Sequence, residues 1–235
     1  MELKFFGRGT GFSTIGHNSA YYMLGDTMIM FDCPMSTFYK LFNRELLGVS
    51  EFKILITHTH PDHISGLSLF IQYAYFTLHK PVLVITPSNL VCEDVKTLLG
   101  IEGCDSSWYK LVSCDTYTSG WLHCAVKVEH SPQLENKCYG YVLDLLGTRI
   151  IYSGDTNKLD MFYPYLDYRF AKEVELYIDI SVHYGMVHLK LTEILPLLKE
   201  LTKKGIKVYL MHLDDISSAK DIIENIEGIE VVEVE

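Results

Sequence analysis

The segment Thr57-His58-Thr59-His60-Pro61-Asp62-His63 places four side chains able to bind a metal within six residues. It follows Ile54-Leu55-Ile56, a short apolar run that reads as a buried strand. Along an extended chain, residues two apart point the same way, so His58 and His60 can close on one ion together. Pro61 then turns the chain, and Asp62 and His63 face a second direction. Four ligands aimed two ways suggest two adjacent ions. Imidazoles suit zinc and other borderline divalent metals, so the expected cofactor is a pair of divalent ions, zinc first, with manganese or iron as alternatives.

In this motif the chain resembles the metallo-β-lactamase-fold metal-dependent hydrolases, and the rest of the sequence extends the likeness over nearly its whole length. That family takes further ligands from a third histidine, a bridging aspartate and a last histidine, each at the end of a later strand. Here the strand-like run from Ala125 ends in His130, the apolar run Ile150-Ile151-Tyr152 leads through Ser153-Gly154 to Asp155, and Val208-Tyr209-Leu210-Met211 ends in His212. The resemblance implies that His58, His60 and His130 hold one ion, that Asp62, His63 and His212 hold the other, and that Asp155 bridges them. It also implies an α/β (α+β) fold, a four-layer αββα sandwich with the ions at the sheet edge. A carboxylate between two cations offsets their repulsion and sets them about 3.5–4 Å apart. Water shared by two such ions has its pKa lowered toward about 7, which makes a bridging hydroxide the expected nucleophile.

The motifs are closest to the ribonuclease Z and phosphodiesterase-like branch, which carries a histidine just before a late helix. His188 matches it by position and is expected to protonate the leaving group, with Asp62 counted as catalytic as well as a ligand. His183 lies in the same segment, and its part is left open; His17, His79 and His123 are read as structural. Two departures argue against tRNA processing. Only 24 residues, Ser131 to Gly154, separate the third histidine from the bridging aspartate, leaving no room for a substrate-gripping arm. Where those endonucleases read His-Glu-Ala-Thr, this chain reads Ile178-Asp179-Ile180-Ser181. The ligand set contains no cysteine, unlike Cys-ligated β-lactam hydrolases, and His60 stands where diiron oxygen-reducing relatives keep a glutamate. The expected activity is therefore hydrolysis of a small phosphodiester or short nucleotide. The alternatives are a lactonase or thioesterase, or a metal-bound sensor without efficient turnover.

The elements that must position these residues can be read from periodicity and turn residues. Leu3–Phe6 suggests a first strand, and Tyr21–Leu24 with Met28–Phe31 a hairpin closed by Gly25-Asp26. Helices are expected over Leu41–Leu47, over Ile64–Leu78, and from a cap at Ser88 or Asn89 to Leu99, stopped by Gly100. Val82–Ile85 reads as a buried strand, Tyr139–Leu145 with Thr148–Tyr152 as a hairpin, and Val174, Leu176, Ile178 and Ile180 as an alternating strand. A helix over Thr192–Thr202 carries Pro196 near its start, and a last one opening at Ser217 or Ser218 precedes a strand at Glu230–Val234. Two sheets with helices outside them follow from this order.

With 235 residues, 48% hydrophobic and 21% charged, a single globular hydrolase domain over 1–235 is expected. A net charge of −10 disfavours a grip on long nucleic acid, while two divalent ions would reverse the field locally for a small anionic or ester substrate. The first residues lack a basic stretch followed by an apolar one, and no run is long enough to span a bilayer, so a cytoplasmic protein without membrane contact is expected. Six scattered cysteines with no C-x-x-C pair read as reduced thiols. A homodimer is left open.

Overall fold

The computed structural model describes residues 2–167, 171–183 and 185–235. Two compact units are distinguished: an N-terminal one, Glu2–Tyr117 with the terminal Val234–Glu235, and a C-terminal one, Thr118–Glu233. Each is built on a sheet that begins with antiparallel strands and continues with parallel ones.

The N-terminal unit holds β1 (Lys4–Gly7), β2 (Ser19–Leu24), β3 (Thr27–Phe31), β4 (Glu51–Leu55), β5 (Val82–Thr86) and β6 (Lys110–Ser113), adjacent in chain order. β1, β2 and β3 pair antiparallel, and β3 to β6 run parallel. The expected hairpin turns at Gly25, whose φ of +63° suits the first central position of a two-residue hairpin turn. β5 is buried at every position, as a parallel strand covered on both faces must be.

The C-terminal unit holds β7 (Leu122–Lys127), β8 (Tyr139–Leu145), β9 (Thr148–Tyr152), β10 (Glu173–Ser181), β11 (Leu189–Lys190), β12 (Lys207–Met211) and β13 (Ile229–Val231). Their order is β13-β12-β10-β9-β8-β7, with β11 beside β10. β10 carries no alternation of exposure: Val174 through Ser181 are all buried, because neighbours flank it on both sides and both of its faces are covered. Leu176, Ile178, Leu198, Leu210 and Phe162 belong to one core around it.

The helices depart from the sequence reading where non-local contacts decide. α1 spans Met35–Phe42, not Leu41–Leu47; Pro34 starts it, and Thr37 and Leu41 form its buried side. The expected helix 64–78 is broken into α2 (Pro61–Ile64), α3 (Leu67–Tyr73) and a π turn (Ala74–Leu78). Gly66 sits at the break because a Cβ there would lie 2.6 Å from the Pro34 carbonyl oxygen. α4 (Asn89–Ile101) is capped by the Ser88 side chain as expected, but it runs through Gly100. It stops before Gly103, whose φ of +76° supplies the left-handed residue a helix end needs. α5 (Leu191–Lys203) starts early enough that Pro196 lies inside it, on the exposed side, where water can serve the carbonyl that proline leaves unbonded. α6 (Ile216–Ile223) is opened by Asp215, which accepts the Ser218 N–H, rather than by Ser217 or Ser218. None of the described helices is long and apolar enough to cross a membrane. All six cysteines are free thiols.

Candidate metal centre

In the N-terminal unit the histidine motif leaves the C-terminal end of β4. His60 is extended (φ −63°, ψ 146°), the conformation proline imposes on the residue before it, and Pro61 opens α2. Asp62 and His63 therefore fall within one helical turn. The four side chains pair as the alternation predicts. His58 Nε2 lies 3.0 Å from His60 Nδ1, and Asp62 Oδ2 lies 3.5 Å from His63 Nε2. Two imidazole nitrogens bound to one tetrahedral zinc ion at about 2.0–2.1 Å stand roughly 3.3 Å apart, close to the His58–His60 spacing.

A carboxylate that sequence reading passed over organises this end. Asp32 follows β3 directly, is fully buried, and has a left-handed backbone with φ +60°. Its Oδ1 accepts the Thr57 N–H at 2.8 Å, and its Oδ2 accepts the Thr57 hydroxyl at 2.8 Å. His63 Nδ1 lies 2.8 Å from the same Oδ2, and Thr57 Oγ1 lies 3.0 Å from His58 Nδ1. Burial holds the Asp32 carboxyl above its ordinary pKa, against the pull of His63 and of the Thr57 donors. Because the Thr57 hydroxyl donates to Asp32, its oxygen is left to accept from His58. Both rings then carry hydrogen on Nδ1 and present the Nε2 lone pair.

The C-terminal unit repeats the device. His130 and Asp155 each lie three residues beyond a strand, β7 and β9, and His212 follows β12 directly with φ +53°. His130 Nδ1 lies 2.9 Å from the Val187 carbonyl, which can only accept. Asp179, wholly buried on β10, takes three donors. Its Oδ2 accepts the Thr156 N–H at 2.9 Å and faces His188 Nδ1 at 2.7 Å, and its Oδ1 faces His212 Nδ1 at 3.2 Å. Asp155 Oδ2 stands 3.3 Å from His212 Nε2 and 3.7 Å from His130 Nε2. Asp155, Asp179, His188 and His212 each offer one atom within 4.8 Å of the others. Burial lowers the His188 pKa, but attraction and hydrogen bonding from Asp179, joined by Asp155, outweigh it and leave it above the ordinary value.

The sequence-predicted residues thus gather into a cluster within each unit: His58, His60, Asp62 and His63 in one, His130, Asp155, His188 and His212 in the other. His183 does not join the second; it is exposed, and its Nε2 lies 3.1 Å from Asp215 Oδ2. His123 pairs with Asp144 at 3.3 Å, the His17 N–H donates to Ser36 Oγ at 3.0 Å, and His79 Nδ1 lies 3.1 Å from the Tyr75 carbonyl. Asp32 and Asp179 are the members of these hydrogen-bonded clusters that sequence reading missed, each signalled in sequence only by an acid beside or inside an apolar strand.

The donor set fits a metal. Five imidazoles, those of His58, His63, His130, His188 and His212, have Nδ1 committed to an acceptor and Nε2 turned to other chemistry, the arrangement metal-ligating histidines almost always show.

Comparison with known proteins agrees with this fold and these motifs. The metallo-β-lactamase fold protein YhfI from Bacillus subtilis matches with a TM-score of 0.76 at 16% identity, covering 99% of this chain and 95% of that one. The chain has the metallo-β-lactamase fold. The family described as anti-Pycsar protein Apyc1 matches residues 1–101. Anti-Pycsar protein Apyc1 of Bacillus phage BSP38 is 27% identical over 235 residues, 91% of this chain and 89% of its own length. Ribonuclease Z of Listeria welshimeri serovar 6b is 32% identical over 108 residues, 44% of this chain. The match spans 35% of the length of that ribonuclease.

Proposed function

We propose that the chain is a dinuclear metal-dependent hydrolase acting on a small phosphodiester or short nucleotide. The observation that carries this reading is that His58, His63, His130, His188 and His212 each place Nδ1 against an acceptor, which leaves Nε2 to serve as a ligand or, in His188, to carry a proton. The proposed ligands are His58, His60 and His130 for one ion, Asp62, His63 and His212 for the other, and Asp155 for both. When bound, two such ions lower the pKa of water and offset the charge that builds on the attacked phosphoryl group. Asp62 orients the attacking water as well as serving as a ligand. His188 holds a proton, favoured by Asp179 on its far nitrogen, and delivers it from Nε2 to the departing oxygen.

Two observations support a small phosphodiester. The similarity to a ribonuclease points to phosphodiester chemistry. The residues between His130 and Asp155 are taken up by a turn at Pro132–Leu134 and the β8–β9 hairpin, with no inserted arm in that segment.

Metal-loaded protein should turn over a chromogenic phosphodiester or a cyclic mononucleotide faster than a lactone or thioester. Elemental analysis should approach two ions per chain. His188→Ala should cut kcat roughly 10²-fold at unchanged metal content, within the range of a general acid. The loss should shrink for nitrophenolate, which leaves without a proton. Turnover confined to lactones or thioesters would overturn the phosphodiester assignment, and metal binding with no turnover on any of them would make the protein a sensor.

A further inference from the structure

The N-terminal unit has a cavity at the end of its sheet opposite the histidine motif. The motif follows the C-terminal end of β4, whereas this cavity is lined by Val82 and Lys110, the first residues of β5 and β6, which run parallel to β4. Its volume is about 730 Å³, within the range of small-molecule sites.

Two features of its wall point to a ligand class. The first is aromatic. Trp108 stacks on Tyr75, with ring centroids 5.8 Å apart and planes at 29°, and meets Phe76 edge-on at 4.9 Å. Tyr75 and Phe76 nevertheless remain 41% and 56% exposed, so the rings hold one another in place while keeping open faces. The second is charge. His79, Lys80 and Lys110 line the cavity and, among the described residues, no carboxylate does, in a chain with 30 acidic residues against 20 lysines and arginines. The backbone here is also costly. Tyr75 and Phe76 lie in the π turn, and His79 ends it with φ +53°; both features recur at functional sites. The Lys80 ammonium also donates to the Leu46 carbonyl, which holds its stem along the cavity wall.

We propose that this cavity binds a nucleoside phosphate. The base stacks on the exposed aromatic patch that Tyr75 and Phe76 form around Trp108, as bases do on aromatic platforms, and the phosphate lies against Lys110, Lys80 and His79. The site shares no residue with the histidine clusters, so it stands whether or not the proposed hydrolase activity does.

The test uses the full chain with Trp121→Phe, which leaves Trp108 as its one tryptophan. Adenosine 5′-monophosphate should quench Trp108 saturably, and adenosine or ribose 5-phosphate alone should bind roughly tenfold more weakly or worse. Lys110→Ala, an exposed change that leaves the fold alone, should weaken binding about tenfold, while Asp155→Ala should leave it unchanged. In calorimetry, Trp108→Ala should weaken binding similarly. No saturable quenching at millimolar nucleotide overturns the proposal. So does equal affinity in Lys110→Ala, or a loss confined to Asp155→Ala, which would place the nucleotide at the metal cluster. Light scattering that shows a dimer dissolved by Trp108→Ala, with no nucleotide bound, would make the aromatic patch a self-association face instead.

Discussion

Replacing Asp179 by asparagine separates the two histidines that share this carboxylate. Oδ2 takes two donors, the Thr156 N–H and His188 Nδ1, whereas Oδ1 faces His212 alone. The amide oxygen of asparagine should therefore stay on the side with two donors, and the NH2 should turn toward His212. A ring nitrogen facing an N–H donor must accept, so His212 is forced into the other tautomer, with hydrogen on Nε2. That hydrogen occupies the lone pair the proposed ligand needs. His188 keeps a hydrogen bond, but to a neutral oxygen in place of a charged one. That exchange is worth about 1 kcal/mol, from roughly 1.5–3 for a charge-assisted bond to roughly 0.5–1.5 for a neutral one.

Two separate readouts follow. Affinity for the ion served by His212 should fall about 10- to 100-fold, the range for losing an outer partner of a metal ligand, measured by competition with a chelating dye. At saturating metal, with a poor leaving group, the alkaline limb of the kcat–pH profile should move to lower pH. The sign follows from the acid's role: His188 must be protonated to act, and Asp179 is what raises its pKa above the ordinary value despite burial. Metal affinity equal to the parent's would show that Asp179 does not set the His212 tautomer. An alkaline limb left in place would show that His188 is not the titrating acid.

Two further substitutions test the N-terminal unit. Gly11→Ala would put a Cβ 3.1 Å from Asp62 Oδ2 and 3.2 Å from its Cγ. The carboxylate must shift by a few tenths of an ångström, which should cost about tenfold in kcat, since misplacement of about 1 Å can cost 10²-fold. The melting temperature should barely change, and an unaltered kcat would remove Asp62 from the catalytic machinery. Glu235 accepts from the Tyr21 hydroxyl at 2.6 Å and pairs with Lys4 at 2.7 Å and Arg44 at 2.6 Å. Burial opposes its ionisation, but these donors outweigh it and pull the carboxyl down to about 2. A folded pKa below the unfolded one contributes stability that is complete above the unfolded value of 4.5 and lost as pH falls toward about 2. Glu235→Gln should cost about 1–2 kcal/mol at neutral pH, a melting shift of a few degrees that closes across that window. A gap that persists at the acid end would mean the charge is not what matters.

The parts of the fold and site that were legible share a short range. The motif from His58 to His63 rests on strand alternation and one proline, and the structure pairs its side chains as that alternation implies. Hairpins at Gly25 and Gly147 and the cap at Ser88 were likewise set by adjacent residues. What failed depended on distant chain. At the break in the expected helix, position 66 must be glycine because Pro34, thirty-two positions away, leaves no space for a Cβ. β10 loses its alternation because both of its faces are covered, whereas the missed α6 cap is a local exception, taken by Asp215 from the serines two and three residues on.

The same division runs through the site. Metal-binding side chains are visible as residue types, but whether an imidazole can coordinate depends on its tautomer, and that is set from another strand. Asp32 does it for His63 directly and for His58 through Thr57; Asp179 does it for His188 and His212. In sequence these two acids are single letters among apolar ones, Phe31-Asp32 and Ile178-Asp179-Ile180. A buried carboxylate must find donors, so an acid in a run that reads as a buried strand is the cue that could have exposed them. A second cost was hidden more deeply. Asp32 and His212 both take left-handed backbone at strand ends, φ +60° and +53°, although neither is glycine. Such conformations cost roughly 1–3 kcal/mol each and persist only where surrounding bonds over-determine them. Here each strained residue is an end of a carboxylate–imidazole pair, so the network that sets the tautomers is also the one that holds the strain.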